Sequence, residues 1–220
     1  MTDIRGEDDP LLMDYCAASA TIHTAACVDR PCRIGDYTVI NRYAHVMTRA
    51  IIGDSCYIGQ NVTIGAGVMI GHHVRILNNS MILSGAILEN GVYWGPSTVM
   101  APLDRLRANH APLSRITPTL AREGATIAAH GAIAAGVTLG RFCFIEAGGV
   151  VDRNIPDFAV ACGNPITLIG WRCECGAPLT FQDDRAACLP CARRYVRESA
   201  EKVTLASPPT PGSVERRHPG

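Results

Sequence analysis

Two cysteine pairs near the C-terminus, Cys173-Glu174-Cys175 and Cys188-Leu189-Pro190-Cys191, have the make-up of a metal site. Four thiolates complete the tetrahedral shell of zinc, and a shell closed by sulfur is structural because water and substrate have no position left. Gly176, directly after the first pair, permits the tight turn such a knuckle requires. Cys173, Cys175, Cys188 and Cys191 are therefore expected to hold one zinc ion, with a redox pair or unmetallated thiols as the alternatives. A second set is made of carboxamides: Gln60-Asn61 is followed, three hexads later, by Asn78-Asn79. A third is histidine, whose titration near neutrality suits a general base. His45, His72, His73, His110 and His130 are the candidates, and Arg105, Arg107 and Arg115 could meet a diphosphate.

The elements that must position these groups follow from a repeat. Every sixth residue from Ile22 to Leu88 is aliphatic, Trp94 and Met100 continue the beat, and it returns at Ile127, Ile133, Leu139, Ile145 and Val151. Glycine follows the aliphatic residue at 35, 53, 59, 65, 71, 95 and 140, and small or β-branched residues such as Thr38, Ala44, Cys56 and Val62 stand four places after it. Six is a multiple of the strand period of two but not of 3.6, so short β-segments keep one face apolar where a helix would not. Three segments and their corners make a triangular coil of about 18 residues, and stacked coils bury a continuous core. The expected fold is all-β, a left-handed parallel β-helix with a projecting loop and a small C-terminal zinc-ribbon-like hairpin.

In such a helix, residues one coil apart stack at about the 4.8 Å strand spacing. Gln60 then lies over Asn78 and Asn61 over Asn79, either as corner amides that satisfy the backbone or as a polar site. Ala129, Ala147 and Pro165, spaced by the same count, would line a smooth corner with accessible backbone amides. Cys56 and Cys143 occupy inward positions and read as small buried hydrophobes.

The expected organisation is a leader or partial cap over 1–20, the β-helix over 21–170 interrupted by a loop at 101–124, the ribbon over 171–196, and a disordered Pro/Ser-rich tail over 197–220. The chain of 220 residues carries 20 basic and 20 acidic side chains, a balance that gives no support to nucleic acid or an acidic membrane as partner. The acidic start lacks a signal-peptide pattern and no apolar run is long enough to span a bilayer, so a reducing, cytoplasmic setting is expected.

The repeat with one projecting loop resembles the bacterial hexapeptide acyltransferases. Within it, IGQNV (58–62), ILNNS (76–80) and LENGVYWGPS (88–97) resemble the branch that acetylates the 3-amino group of a UDP-linked 2-acetamido-3-aminoglucuronic acid, which reads approximately IGQNV, IQNNV and LEDGVFCGPS. The closing VVDRNIPDFAVACGNPITLIGW also resembles that branch, whereas APLDRLRAN stands where the branch has TN-x-x-NPR. The resemblance implies a homotrimer that moves an acetyl group from acetyl-coenzyme A to a nucleotide-linked amino sugar. It implies Asn78 and Asn79 as the amides that orient the attacking amine, and His45, which matches a histidine of the branch, as a further catalytic candidate. Gln60, Asn61, Arg105, Arg107 and His110 would then bind the sugar nucleotide. Ala129, Ala147, Arg153 and Pro165 would bind coenzyme A, with backbone amides near the thioester holding the oxyanion. A positioned neutral amine needs no strong base, so a histidine base and base-free positioning both stay open. A γ-type carbonic anhydrase shares the β-helix but fails at its ligands, since Leu77 and Asn78 stand where a second histidine would follow His72 or His73. A non-catalytic scaffold is the remaining alternative.

Overall fold

The computed structural model describes residues 14–101 and 118–207. Arg105, Arg107, His110 and Arg115 lie outside the described residues, as do 1–13 and everything after 207. The chain winds into a parallel β-solenoid whose three faces are sheets of short strands, most of them two residues long. One face stacks Tyr15–Cys16, Arg33–Ile34, Ile51–Ile52, Met69–Ile70, Ile87–Leu88, Leu120–Ala121 and Thr138–Leu139. The others run from Thr21–Ile22 and from Cys27–Val28 in the same manner. Successive coils repeat the same register, as in Ile58↔Ile76↔Trp94, until Ile87 pairs with Leu120. The regular count would bring Arg105 opposite Ile87, so this one coil carries an insertion.

The six-residue beat is the inward row. Ile40, Val46, Ile58, Ile64, Ile76, Ile82, Trp94, Ile127, Ile133 and Ile145 are all fully buried. Each such side chain contributes roughly 1.5–3 kcal/mol by leaving water. The small row four places on, including Thr38, Ala44, Ala50, Val62 and Val74, fills the narrow inside of the corners. Its polar members are paired: the Thr38 hydroxyl donates to the Gly53 carbonyl at 2.7 Å and that of Ser80 to Gly95 at 2.9 Å.

The glycines that follow the inward residue do not supply the left-handed corners. The left-handed corner positions are mostly held by other residues, among them Tyr43, Asn61, His73, Asn79 and Ser97, with φ between 55° and 61°. The glycines after the inward residue instead mark close approach between coils. A Cβ on Gly59 would lie 2.7 Å from the Asn78 amide nitrogen and 2.9 Å from the Leu77 carbonyl carbon. Gly59→Ala is thus expected to cost about 1–3 kcal/mol, as overpacking does. Gly67→Ala, where space is open but φ is 67°, should lose only about 1–2 kcal/mol. Thermal melts of the two variants check this; a loss below about 1 kcal/mol in Gly59→Ala would mean that adjacent coils part freely.

Three boundaries differ from expectation. The solenoid starts at Tyr15 rather than 21, because Cys16 already occupies the inward register. It resumes at Leu120 rather than 125: buried Ala121 is an inward residue too small to register as an aliphatic beat. At the far end, Ala159–Cys162 closes the second face and Thr167–Trp171 folds back on it antiparallel. The expected tail contains strands, since Arg185–Ala187, Arg194–Ser199 and Lys202–Ser207 form an antiparallel sheet. Ala186, Tyr195 and Val203 are its buried side chains, and a turn at Ala200-Glu201 joins the last two strands. The ribbon therefore runs past 196, to 207.

The small sheet docks on one solenoid corner through aromatic rings. Phe142 stacks on Phe158 at 6.0 Å, and Phe158 meets Tyr195 edge-on at 5.2 Å. Arg172 braces the junction, lying 3.8 Å over the Phe144 ring and 3.4 Å from Glu146.

Candidate functional site

Register places several candidate residues along one edge of the prism. Asn61, Asn79, Ser97, His130 and Gly148 all take left-handed φ values at the same corner, stacked coil on coil. The Asn79 N–H donates to the Gln60 carbonyl, Ser97 N–H to Asn78, His130 N–H to Pro96 and Gly148 N–H to Ala129, each at 2.9 Å. At about 4.8 Å per step this edge spans roughly 19 Å from Asn61 to Gly148. Its first half presents amides, and its second half carries the small residues Ala129, Ala147 and Gly148 beside the exposed His130.

The two asparagines are engaged differently. Asn78 Oδ1 accepts the Gln60 backbone N–H at 2.9 Å. The same device recurs at another corner, where Asp54, Asn90 and Asp157 accept from Asp36, His72 and Arg141. Asn78 thus has a full structural account as a corner cap. Asn79 forms the expected side-chain ladder, its Oδ1 accepting from Asn61 Nδ2 at 3.1 Å. Each carbonyl oxygen has two lone pairs, so the Asn79 oxygen keeps one for a ligand. Both side chains are exposed.

The histidines separate by location. His72 is a corner cap, its Nδ1 accepting the Asp54 N–H at 3.0 Å. His73 lies on that same second corner, in a shallow cleft with Gly91, Glu123, Phe142 and Glu174. His130 shares the amide corner, two steps beyond Asn79 and exposed. His45 sits on the flat face just past that corner, its Nε2 2.9 Å from Asp29 Oδ2. Neither Asp29 nor its neighbour Cys27 stands out in the sequence; only the coil register brings them to His45.

The expected coenzyme A set is only partly assembled. Ala129 and Ala147 share the corner, but the last coil is short: Phe144 pairs with Val160, and the Val150 N–H donates to the Gly163 carbonyl. Pro165 consequently falls past the corner instead of over Ala147. Arg153 turns at the next corner, where it contacts the Ile166 carbonyl and lies 3.7 Å from Asp152. The corner amides expected to hold an oxyanion are themselves taken at Asn79, Ser97, His130 and Gly148.

The four C-terminal cysteines do converge. Cys173 Sγ lies 3.3 Å from Cys191 Sγ and Cys175 Sγ 3.5 Å from Cys188 Sγ, with all four sulfurs within 4.8 Å of one another. Disulfide bonding at ~2.05 Å is absent from these pairs. Sulfurs about 2.3 Å from a tetrahedral zinc would stand roughly 3.8 Å apart, so the set fits one metal ion. Burial pushes the Cys173 and Cys188 thiols up. At Cys191 burial acts in the same direction, but hydrogen bonds from the Arg193 backbone and side chain, with those of Cys173 and Cys188, outweigh it and hold the thiol at about 6. By contrast, burial raises Cys56 and takes Cys143 to about 12, as inert core thiols.

Comparison with known proteins finds the same hexapeptide repeat. A family model for the bacterial transferase hexapeptide (six repeats) matches residues 31–66 and 55–90. The dTDP-3-amino-3,6-dideoxy-alpha-D-galactopyranose 3-N-acetyltransferase of Aneurinibacillus thermoaerophilus is 43% identical over 77 residues. That match covers 35% of this chain and 40% of the relative, so the chain spans less than half the length of the curated protein it matches. Among solved structures, a variant of GDP-perosamine N-acetyltransferase from Caulobacter crescentus, in complex with CoA and GDP-perosamine, is 22% identical with a TM-score of 0.50. The match covers 69% of this chain and 56% of that one. The N-acyltransferase AntD from Bacillus cereus, in complex with dTDP-4-amino-4,6-dideoxyglucose and coenzyme A, is 16% identical with a TM-score of 0.51, covering 74% and 86%. The two structures share the fold of this chain.

Proposed function

We propose that this chain is an acetyl-coenzyme A-dependent N-acetyltransferase acting on a nucleotide-linked amino sugar, with a 3-amino sugar as the favoured acceptor. The observation that carries the reading is the exposed Asn61–Asn79 amide ladder, continuous along one corner with the small residues Ala129 and Ala147. The curated relative of 43% identity is a 3-N-acetyltransferase, which supports the same acceptor. In the reaction the sugar amine attacks the thioester carbon, a tetrahedral adduct forms, the C–S bond breaks and coenzyme A leaves as its thiol while nitrogen loses one proton.

The open lone pair of Asn79 Oδ1 accepts one amine hydrogen and turns the nitrogen lone pair toward the thioester. Held in this way, a neutral amine reacts with much of the entropic barrier removed. Asn78 acts mainly by capping Gln60 and so fixing the corner. His45 is a second candidate proton acceptor, its ring oriented by Asp29. Gln60 and Asn61 bind the sugar, helped by Arg105, Arg107 and His110. Ala129 and Ala147 flank the pantetheine arm, Pro165 lies past that edge, and Arg153 reaches a phosphate only after leaving Ile166. The four cysteines hold a structural zinc ion. The working form is a cytoplasmic homotrimer with donor grooves between subunits; among the described residues no helix is long and apolar enough to cross a membrane.

Free-thiol release from acetyl-coenzyme A, followed over a panel of dTDP- and UDP-linked 3-amino and 4-amino sugars, tests the reaction. Asn79→Ala is expected to lower turnover at saturating donor by about 10²–10³-fold, the loss typical of one well-placed polar group. Asn78→Ala should show chiefly as a lower melting temperature. Thiol release that no amino sugar stimulates would overturn the reading, and full turnover in Asn79→Ala would remove the positioning role.

A further inference from the structure

We propose that Cys27, Asp29 and His45 form a second metal site, an open three-ligand site for a divalent cation of the zinc class. It stands apart from the four-cysteine cluster but shares His45 with the acyl-transfer reading. The strands Cys27–Val28 and His45–Val46 are parallel neighbours, with Cys27 directly opposite His45. Val46 is fully buried, so the strand period of two turns His45 outward, and Cys27 beside it. Asp29, one residue beyond Val28, returns its carboxylate to the same outer face. Its two oxygens reach both neighbours: Oδ2 is 2.9 Å from His45 Nε2 and Oδ1 is 3.7 Å from Cys27 Sγ. One ligand atom from each residue lies within 4.8 Å of the other two.

The donor set selects the ion. A thiolate beside an imidazole suits zinc and its transition-metal neighbours rather than magnesium or calcium, which prefer oxygen alone. Thiolate and carboxylate together balance a 2+ charge while the imidazole stays neutral. Three protein ligands leave a fourth position accessible, since Cys27 is exposed and the other two are half-exposed. The ion pair between Asp29 and His45 uses one carboxylate oxygen and leaves the other facing the Cys27 thiol. Metal at Nε2 leaves the imidazole proton on Nδ1, so a loaded site offers no free imidazole base. The base-free form of acyl transfer remains compatible with it.

The test uses the full chain loaded with Co²⁺ or Zn²⁺, metal content by elemental analysis, and competition against a chromogenic chelator. One equivalent is expected to vanish in both Cys27→Ser and His45→Ala and to persist in Cys188→Ser, with the cobalt spectrum of Cys27→Ser becoming that of a four-sulfur site. Asp29→Asn should weaken the same equivalent by at least about the 10–100-fold that loss of an outer partner costs. Because all three side chains lie on the outer face, unchanged melting curves confirm that the variants fold. Metal content and affinity identical in wild type, Cys27→Ser and His45→Ala would overturn the proposal. So would an equivalent lost in Cys188→Ser and in neither of the others.

Discussion

Stripping metal from the chain, or replacing Cys188 with alanine, is expected to open residues 173–207 to protease while the coils stay resistant. The hydrophobic centre of this segment is small: Leu179, Ala186, Tyr195 and Val203 pack with Phe158 around the buried Cys173 and Cys188. So little apolar area cannot offset the ordering entropy of the whole segment, at about 1.5 kcal/mol per residue. A four-thiolate zinc supplies on the order of 10–16 kcal/mol of folding free energy, enough to decide the outcome. The surrounding bonds depend on it as well, for the Tyr195 hydroxyl lies 3.1 Å from Cys173 Sγ and accepts the Glu174 N–H at 3.2 Å. Limited proteolysis read by mass spectrometry, with and without a chelator, locates the cuts. Cleavage confined to the segment supports the structural zinc; identical patterns would mean that the sheet stands on its own packing.

Trp94→Ala is expected to produce the largest loss from any single inward position. Trp94 is fully buried between Ile76 and Ile127, and its indole N–H donates to the Thr98 carbonyl at 3.2 Å. Removing the ring leaves a cavity in a stack that cannot close, because the backbone ladders on all three faces hold the coils at fixed spacing. About 3–5 kcal/mol should be lost. At roughly 2–4 °C per kcal/mol for a chain of this size, the melting temperature falls by about 6–20 °C. The same coil carries Pro96 and Ser97 of the amide corner, and repeat proteins transmit damage mainly to neighbouring coils. Activity should therefore fail at a lower temperature than the far coils melt. Paired melting and activity curves check this; a melting temperature that hardly moves would mean that the core repacks around the void.

Much of this architecture was legible in the residues alone. The six-residue beat dictates short strands, a triangular coil and stacking by three hexads, and the structure repeats that register from Tyr15↔Arg33 onward. The amide ladder of Asn61 and Asn79 follows from counting alone, as does the inward place of Cys56 and Cys143. The convergence of four cysteines follows from chemistry, since thiols spaced as knuckles in so small a segment have few other uses.

The corner on which a residue falls was not legible across the insertion. A period of six identifies the inward row but leaves three equivalent corners, and only an unbroken count of three hexads per coil tells them apart. Counting one regular coil on from Ser97 lands on Arg115, whereas the backbone places His130 directly beside Ser97. The shortened last coil likewise moves Pro165 off the small-residue edge, and Arg153 turns at a different corner. Local pattern fixes what each hexad buries because side-chain period and burial are short-range properties. Which hexads become neighbours, and hence the company of Asn79, His45 and Asp29, depends on how many residues each coil contains, and that only the closed tertiary winding decides.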